Sequence, residues 1–447
     1  MRKYLPRQSF RADGVGAKKL FILPVHVRAL GALLRQELTF ERPADAVMSA
    51  FFREHHEFGL RDRGIIAEGA FFAMRHLYEI SWRMKPTLPR EAVNLMALLC
   101  YAMQYGDKAL EGVGAKDAEA VRGFLARTIS SAPEYIRADT PSWLFKKIAD
   151  QYEDCNFLFE AMKEPAPLDI RTNTLKTNRD MLLGEFAKLH YEAYPSRFSP
   201  DGIRLGRKYA LTSLAIFREG FFDVQDEGSQ LVARLVEPRR REMVCDFCAG
   251  AGGKTLAMGA LMRNSGRLYA FDVNQKRLQG LQPRMKRAGL SNVYTVPIRN
   301  EKDPRVKRMR EKFDRVLVDA PCSGTGTWRR NPDLKFRISP EELTRIRELQ
   351  RSILESAASL VKEGGRLVYA TCSLLREENQ ENAEWFIQNH SEFSLENAVE
   401  ILDGQNISLP ESVRADAPYL ALSPQRSDTD GFFAAVFSKT PGRYRNS

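Results

Sequence analysis

The amino-terminal third of the chain carries apolar residues at helical spacing. In LGALLRQEL, AVMSAFFREH and IIAEGAFFAMRHLYEISWRM they recur at steps of three and four residues, which places them on one face of a helix. Glycine and proline residues separate these stretches. The pattern predicts a bundle of about five helices over residues 25–130, within a first domain of residues 1–140.

The pattern changes in the following segment. Residues 131–167 are polar and contain several prolines, which is typical of a linker. Short apolar runs with glycine turns follow in GIRLGRKYALTSLAIFREGFFDVQDEGSQ. We therefore predict a second domain, residues 141–222, that consists of a linker and a small α+β subdomain.

The remaining residues alternate between strand-like and helix-like patterns. The runs MVCDF, GRLYAFDV, NVYTVPI, FDRVLVDA and GRLVYATCS read as strands, and amphipathic helical segments lie between them. Strands that alternate with helices predict an α/β domain with a doubly wound, mostly parallel, Rossmann-like sheet. This third domain is expected over residues 223–447.

Charge and cysteine content narrow the functional classes. The 447-residue chain has a net charge of +11, which favours a polyanionic partner such as nucleic acid. Its most apolar early run, LFILPVHVRALGALL, is interrupted and too short to span a bilayer, and no signal peptide is recognisable. Six cysteines are too sparse for a disulfide scaffold of this length. We expect a cytoplasmic protein, without a membrane span.

A glycine-rich loop, CAGAGGKT (248–255), lies between the first strand and a helix of the third domain. A P-loop would need glycine at Cys248, and a dinucleotide fingerprint would need glycine at Thr255. A third interpretation joins a Gly-x-Gly turn to an acid at the end of the second strand, Asp272. A carboxylate there can accept from two ribose hydroxyls, which is typical of S-adenosylmethionine sites and is shared with NAD sites.

Two cysteines follow two strands that should be neighbours. Cys322 comes after the fourth strand and Cys372 after the fifth, so both thiols are expected at one edge of the sheet. A zinc site would need two more ligands, and Cys245 of the only C-x-x-C lies inside a strand, so no metal is expected. A redox disulfide would leave the glycine loop and Asp272 unexplained.

Covalent catalysis accounts for the thiols and the glycine loop together. A thiolate that adds to carbon 6 of a cytosine makes carbon 5 nucleophilic toward a methyl sulfonium, and a base must then remove the carbon 5 proton. Asp319 ends the same strand that precedes Cys322, where it can hydrogen-bond ring nitrogen 3.

These motifs resemble those of the RsmB/NOP family of RNA cytosine-5 methyltransferases. The resemblance rests on DAPCSGTG (319–326), ATCS (370–373), CAGAGGKT and Asp272. It implies a class I S-adenosylmethionine methyltransferase domain in which Cys372 attacks the base. It also implies that Cys322 is the base that allows release and that Asp319 contacts both the cytosine and the cofactor side of the pocket.

The same resemblance assigns the cofactor contacts. S-adenosylmethionine is expected to bind the loop residues, Asp272 and Asp319, and Asn300 stands near the place where the family usually has an Asp beside the adenine. Ala251 stands where the family often has Pro, which the turn should tolerate. The loop residues in question are Cys248, Ala249, Gly250, Ala251, Gly252, Gly253 and Lys254.

Features outside the two cysteine motifs point to RNA. The stretch WRRNPDLKFR mixes cations for phosphates with aromatic rings for unstacked bases, so Arg329, Arg330 and Lys335 are predicted to contact RNA, together with Arg171. The helical bundle resembles the NusB-like domain of bacterial family members, which implies an RNA-docking role and favours small-subunit ribosomal RNA over transfer RNA. A monomer is expected.

Three alternatives stay open at this point. A transfer-RNA methyltransferase would use the same chemistry on another RNA. A catalytically silent RNA-binding or assembly protein would keep the fold, although the intact Cys322 and Cys372 argue against it. A nucleotide hydrolase is suggested by GGKT, but it lacks the first glycine of a P-loop.

Overall fold

The computed structural model describes residues 22–441 of the chain, and the predictions that extend into 1–21 and 442–447 lie outside the described residues there. The chain divides into two compact units, and the boundary along the chain falls between residues 142 and 143. No helix within the described part of the chain is long and apolar enough to cross a membrane.

The first unit is helical, as its apolar periodicity predicted. Leu30, Leu99 and Tyr101 lie fully buried at its centre. The long periodic stretch after residue 64 forms two helices rather than one, because the backbone leaves helical geometry at His76 (φ −116°, ψ 25°). The helices are α1 (Pro24–Glu37), α2 (Ala44–Glu54), α3 (Leu60–Arg75), α4 (Leu77–Met84), α5 (Val93–Tyr105), α6 (Ala115–Ala126) and α7 (Glu134–Arg137).

The segment 131–167, predicted as a linker, contains regular structure instead. Besides α7 it forms α8 (Ser142–Ala149) and α9 (Cys155–Lys163). Leu144 and Ile148, four residues apart on α8, are both fully buried. The apolar spacing is short and is surrounded by polar residues and prolines, so the sequence pattern did not indicate a helix there. The linker prediction was therefore wrong.

A small α+β subdomain follows, as predicted. Its four strands form an antiparallel sheet in the order β2-β3-β1-β4, in which Ile170 and Ile203 are paired across β1 and β3. The elements are β1 (Leu168–Thr172), α10 (Arg179–Lys188), β2 (Ala193–Pro195), β3 (Gly202–Leu205), α11 (Ala215–Arg218) and β4 (Phe222–Val224).

The largest sheet has eight strands and carries the predicted glycine loop and both cysteine motifs. Its order is β10-β12-β9-β8-β5-β6-β7, with β11 paired to β12. The strands are β5 (Met243–Asp246), β6 (Arg267–Asp272), β7 (Val293–Pro297), β8 (Phe313–Asp319), β9 (Val361–Thr371), β10 (Phe393–Glu396), β11 (Leu420–Leu422) and β12 (Phe432–Lys439).

Strands β5 to β9 are parallel, which confirms the Rossmann-like prediction, whereas β12 pairs antiparallel with β9 and in turn carries β10 and β11 on its other side. Buried side chains alternate between the faces, so Val244 and Cys245 enter different hydrophobic cores. The chain order reverses between β5 and β8, and open α/β sheets bind ligands beyond the strand ends at such a point.

Helices cover both faces of this sheet. The longest, α17, begins at Pro340 behind the capping hydroxyl of Ser339, and its apolar face includes the buried Leu354. The helices are α12 (Glu227–Val236), α13 (Gly253–Leu261), α14 (Gln275–Ala288), α15 (Pro304–Lys307), α16 (Leu334–Arg337), α17 (Pro340–Ala358), α18 (Gln380–Asn389), α19 (Ala398–Asp403), α20 (Glu411–Arg414) and α21 (Pro424–Ser427).

Candidate active site

The two predicted cysteines meet at one edge of the sheet. Asp319 at the end of β8 pairs with Ala370 of the parallel neighbour β9, so the loops that follow leave the sheet side by side. Cys322 Sγ lies 3.2 Å from Cys372 Sγ, and both side chains are half-buried. The prediction that both thiols project near one crevice is confirmed.

The two thiols do not have equal surroundings. The hydrogen bond to Cys372, burial and the negative charges of Cys372 and Glu378 together raise the pKa of the Cys322 thiol well above its usual value. Cys322 therefore keeps its proton, and its sulfur stays in hydrogen-bond contact with the Cys372 sulfur.

A cation from the glycine loop reaches the same crevice. Lys254, in the first turn of α13, places its Nζ 2.7 Å from Asp319 Oδ2. Burial alone would lower the pKa of Lys254, but the charge and hydrogen bond of Asp319 and the charge of Cys372 outweigh burial and raise it. The lysine is therefore an ammonium. Asp319 remains 31% exposed and can still meet a ligand.

The glycine loop is shaped by two residues with positive φ, Gly250 (φ 55°) and Gly252 (φ 83°). A Cβ on Gly252 would stand 2.2 Å from the Leu281 side chain, so the loop can pack against α14 only with glycine there. At Gly250 a Cβ would meet no described atom within 4 Å, which leaves open space on that side of the loop.

Asp272 is fixed beside this loop. Its Oδ2 accepts from the Gly250 amide at 2.7 Å, and its Oδ1 accepts from the Asn274 amide at 2.6 Å. The next residue, Val273, exposes 64% of its surface although it is apolar. A carboxylate beside an exposed apolar side chain suits a ligand that carries both hydroxyls and a flat ring.

Sequence reasoning missed Asp246, the last residue of β5. Burial raises its pKa to about 7; the Thr255 hydrogen bond lowers it, and the charge of Asp319 adds to the rise. Thr255 Oγ1 donates to Oδ2 at 2.6 Å, while Oδ1 is buried without a partner among the described residues. The signal was the single carboxylate of VCDF, directly before the glycine loop.

These observations together test the fit of S-adenosylmethionine. An unpartnered buried oxygen of Asp246 can accept from an α-ammonium group. The Asp272 carboxylate suits ribose hydroxyls, and the open side of Gly250 leaves room for close approach. The donor and acceptor set therefore fits this cofactor. Among residues 22–441, no group of three or more His, Cys, Asp or Glu side chains could hold a metal ion.

Asn300 uses its amide oxygen within its own loop. The residue is exposed in the loop after β7, and its Oδ1 accepts from the Lys302 amide at 3.0 Å. The buried carboxylate of that loop is Asp303, which caps α15 by accepting from the Arg299 and Arg305 amides. The adenine contact at Asn300 stays a prediction.

The four cations predicted to bind RNA are mostly internal. Arg171 and Lys335 are 5% and 4% exposed, and Arg171 Nε donates to Gln225 Oε1 at 2.7 Å. Arg329 is equally buried and pairs with Asp428 at 3.3 Å. Burial of these three side chains argues against direct contact with phosphates and corrects that prediction.

Arg330 is 30% exposed, but its guanidinium is held by two carboxylates. It pairs with Asp226 at 2.9 Å and also with Asp430. Together with Arg329 it ties the loop after β8 to residues 428–430. The backbone reinforces this tie, because the Gly431 amide donates to the Gly326 carbonyl at 2.8 Å. These arginines therefore brace the loop that carries Cys322.

Two family descriptions match the chain. The first, 16S rRNA methyltransferase RsmB/F, matches residues 233–438. The second, an RsmF/B-like methyltransferase ferredoxin-like domain, matches residues 140–212. The resemblance inferred from the sequence motifs is confirmed.

Individual relatives extend the similarity to most of the chain. The probable ribosomal RNA small subunit methyltransferase B of Bacillus subtilis (strain 168) is 30% identical, covering 86% of this chain and 92% of that protein. The ribosomal RNA small subunit methyltransferase B of Yersinia enterocolitica is 28% identical, covering 85% and 91%. The crystal structure of a methyltransferase homologue from Pyrococcus horikoshii superposes with a TM-score of 0.59, covering 70% of this chain and 100% of that one. The two sequences are 28% identical.

Proposed function

Because the chain belongs to the 16S rRNA methyltransferase RsmB/F family and depends on S-adenosylmethionine, we propose that it methylates carbon 5 of a cytosine in small-subunit ribosomal RNA. The reaction runs through a covalent bond between Cys372 and carbon 6 of the base. The observation that carries the proposal is the 3.2 Å contact between the Cys322 and Cys372 sulfurs, beside the Lys254–Asp319 pair.

Cys372 makes the attack in this proposal. Its sulfur lies 3.2 Å from the Cys322 sulfur, and the Lys254 ammonium is a nearby positive charge. Addition to carbon 6 converts carbon 5 into an enamine-like nucleophile, which the unmodified ring does not offer. The target base must leave its stack to reach the half-buried sulfur, so the protein acts on an unpaired or flipped nucleotide.

Asp319 contacts the base as the attack proceeds. Negative charge develops on the ring at nitrogen 3 when the thiolate adds to carbon 6. The Lys254 ammonium donates to Asp319 Oδ2 and can pass a proton through this partly exposed carboxylate to that nitrogen. The same ion pair fixes the orientation of Asp319 before the substrate arrives.

The glycine loop and its neighbours hold the cofactor. When bound, S-adenosylmethionine supplies the methyl group as a sulfonium electrophile. Asp272 would accept from the ribose hydroxyls, the exposed Val273 would offer an apolar surface to the adenine, and Asp246 would accept from the ammonium group. The predicted loop contacts remain part of this proposal: Cys248, Ala249, Gly250, Ala251, Gly252, Gly253 and Lys254.

Cys322 ends the reaction as the base. Once Cys372 is a thioether it no longer accepts strongly, so the largest cause that raises the pKa of Cys322 is removed. The Cys322 thiol can then lose its proton to solvent and take the carbon 5 proton of the methylated ring. The electron pair of that C–H bond restores the ring double bond and expels the Cys372 thiolate, and nitrogen 3 returns its proton to the Lys254–Asp319 pair.

Bisulfite sequencing of total RNA from a strain that lacks the gene tests the proposal. We expect one cytosine of the small-subunit ribosomal RNA to resist deamination in the parent strain and to be converted in the deletion strain. Restoration by purified protein and S-adenosylmethionine would assign the mark to this chain. Loss of a mark in transfer RNA alone would contradict the substrate, and loss of no mark would favour the silent RNA-binding alternative.

A further inference from the structure

A buried carboxylate links the two cysteine loops. Glu378, between β9 and α18, is fully buried. Its Oε1 accepts from the Ser323 amide and from Gln350 Nε2, both at 2.9 Å. Its Oε2 accepts from the hydroxyls of Ser323 and Ser373. Two oxygens with four donors use the full capacity of a carboxylate.

The bonded serines directly follow the two cysteines in sequence. Ser323 is next to Cys322 and Ser373 is next to Cys372, and the two hydroxyls lie 3.1 Å from each other. A single carboxylate therefore fixes both loops one residue away from each sulfur. Any shift of Glu378 would move the loops relative to each other.

A second layer of amides holds the carboxylate in place. Gln350 on α17 also donates to the Pro321 carbonyl at 2.9 Å, directly before Cys322. Asn382 donates to Gln350 Oε1 at 2.9 Å, and Asn379 donates to the Ser373 carbonyl at 2.8 Å. Apolar packing would hold two loops without burying a charge, so a fully buried carboxylate at this place indicates a role beyond stability.

We propose that Glu378 is a positioning residue of the methylation reaction, which holds the Cys322 and Cys372 sulfurs in contact. The proposal rests on the proposed function of these cysteines and adds a residue to it. Glu378 acts on the two sulfurs indirectly, through its hydrogen bonds to Ser323 and Ser373.

The charge of Glu378 has a second consequence at Cys322. It is one of the causes that raise the pKa of that thiol, after the Cys372 hydrogen bond, burial and the Cys372 charge. Tyr369 also lies near Cys322 and Glu378, but burial raises its pKa, so its hydroxyl stays neutral. Lys254 and Asp319 neutralise each other in the crevice. In the covalent adduct Glu378 is therefore the negative charge that still opposes loss of the Cys322 proton.

Glu378→Gln removes the negative charge of the side chain but can keep its contacts to both cysteine loops. The amide oxygen can accept from the Ser323 amide and Gln350, while the NH₂ donates to the two hydroxyls, which can accept. Glu378→Ala removes all four acceptor contacts instead. The matched control is Glu377→Gln, because the neighbouring Glu377 pairs with Lys147 and bonds to neither cysteine loop.

Two assays divide attack from release, each on an in vitro transcript of 16S ribosomal RNA. A transcript with 5-fluorocytosine measures attack, because fluorine on carbon 5 cannot be removed and the adduct persists. An unmodified transcript in a single turnover measures decay of the adduct from pH 6 to 10. Binding of S-adenosylmethionine by equilibrium dialysis reports whether each variant is folded.

We expect Glu378→Gln to form the fluorocytosine adduct at the rate of the unsubstituted protein, with a release midpoint about one pH unit lower. We expect Glu378→Ala to slow adduct formation roughly 10- to 100-fold, because misplaced reacting groups lose that much rate. Glu377→Gln should match the unsubstituted protein in both assays.

An unchanged release midpoint in Glu378→Gln would overturn the role of the charge, and an unchanged adduct rate in folded Glu378→Ala would overturn the positioning role. If Glu378→Ala loses cofactor binding, a Gln350→Ala variant takes its place in the adduct assay under the same expectation. Failure of the proposed function itself would look different, because the unsubstituted protein would then form no fluorocytosine adduct, or Cys372→Ala would still form one.

Discussion

Lys254 Nζ lies 2.7 Å from Asp319 Oδ2, which joins the helix after the glycine loop to the end of β8. The cofactor side and the base side of the crevice therefore share one ion pair. Lys254 also lies close enough to Cys372 for the charge of that sulfur to help raise the pKa of the lysine. This pair places a cation beside the proposed nucleophile before any ligand binds.

Lys254→Met should slow attack more than it harms the fold. The methionine keeps the length of the side chain and removes the ammonium, and loss of one preorganised electrostatic contact costs about 100-fold in rate. Asp319 is partly exposed, so water can solvate the carboxylate left alone. Adduct formation on a fluorocytosine transcript measures the rate, and a melting curve measures the fold. An adduct rate within twofold of the unsubstituted protein would contradict this role.

Gly252→Ala and Gly250→Ala form a matched pair. Both residues have positive φ, which costs an alanine roughly 1–2 kcal/mol. Only at Gly252 would the added Cβ also stand 2.2 Å from Leu281. Thermal unfolding should therefore show a clearly larger loss for Gly252→Ala. Equal losses in the two variants would mean that the contact with α14 does not restrict the loop.

Asp246→Asn should stabilise the protein at pH 8 and weaken cofactor binding. Burial raises the pKa of Asp246 from 3.8 to about 7, so the folded state binds a proton that the unfolded state has lost between those values. Stability from this group is present below about pH 4 and falls as pH rises to 7. The gain of the variant in melting temperature should therefore grow over that range and then level off.

Asp246→Asn should weaken the binding of S-adenosylmethionine, although it raises the melting temperature. The neutral amide loses the charge that is proposed to meet the ammonium group, so affinity should fall about tenfold, as for loss of a charged hydrogen bond. A melting gain that is independent of pH would contradict the ionisation of Asp246, and unchanged affinity would contradict its cofactor contact.

Arg329→Ala tests the correction to the RNA-binding prediction. Arg329 is 5% exposed and bonds to Asp428, so its loss should lower the free energy of unfolding by about 1–3 kcal/mol. The salt dependence of RNA affinity should not change, because no phosphate contact is lost. A salt slope reduced by about one, with an unchanged melting temperature, would restore the original prediction.

The alternation of apolar and polar residues was sufficient to predict the order of strands and helices in the third predicted domain. Strands β5 to β9 and the helices between them follow from alternation along the chain, and the adjacency of Cys322 and Cys372 follows from the way parallel strands are connected. The same reasoning found the glycine loop and Asp272, because their residue types are rare in that arrangement.

Partners distant in sequence were not predictable. Arg329 and Arg330 looked like surface cations because a basic run reads the same whether or not carboxylates meet it, and Asp428 and Asp430 lie about one hundred residues away. Glu378 lies only five residues from Ser373, but its bonds to Ser323 span 55 residues and depend on the fold. Nor could the sequence show that Asp246 is left with an unpartnered oxygen.

The central claim is that Cys372 attacks and Cys322 releases. Each cysteine is changed to alanine, incubated with S-adenosylmethionine and an unmodified 16S ribosomal RNA transcript, and run on a denaturing gel that resolves RNA–protein adducts. We predict that Cys322→Ala accumulates a stable adduct, because attack persists without the base, and that Cys372→Ala forms neither adduct nor methylated RNA. An adduct that accumulates in Cys372→Ala and is absent from Cys322→Ala would reverse the roles and contradict the account.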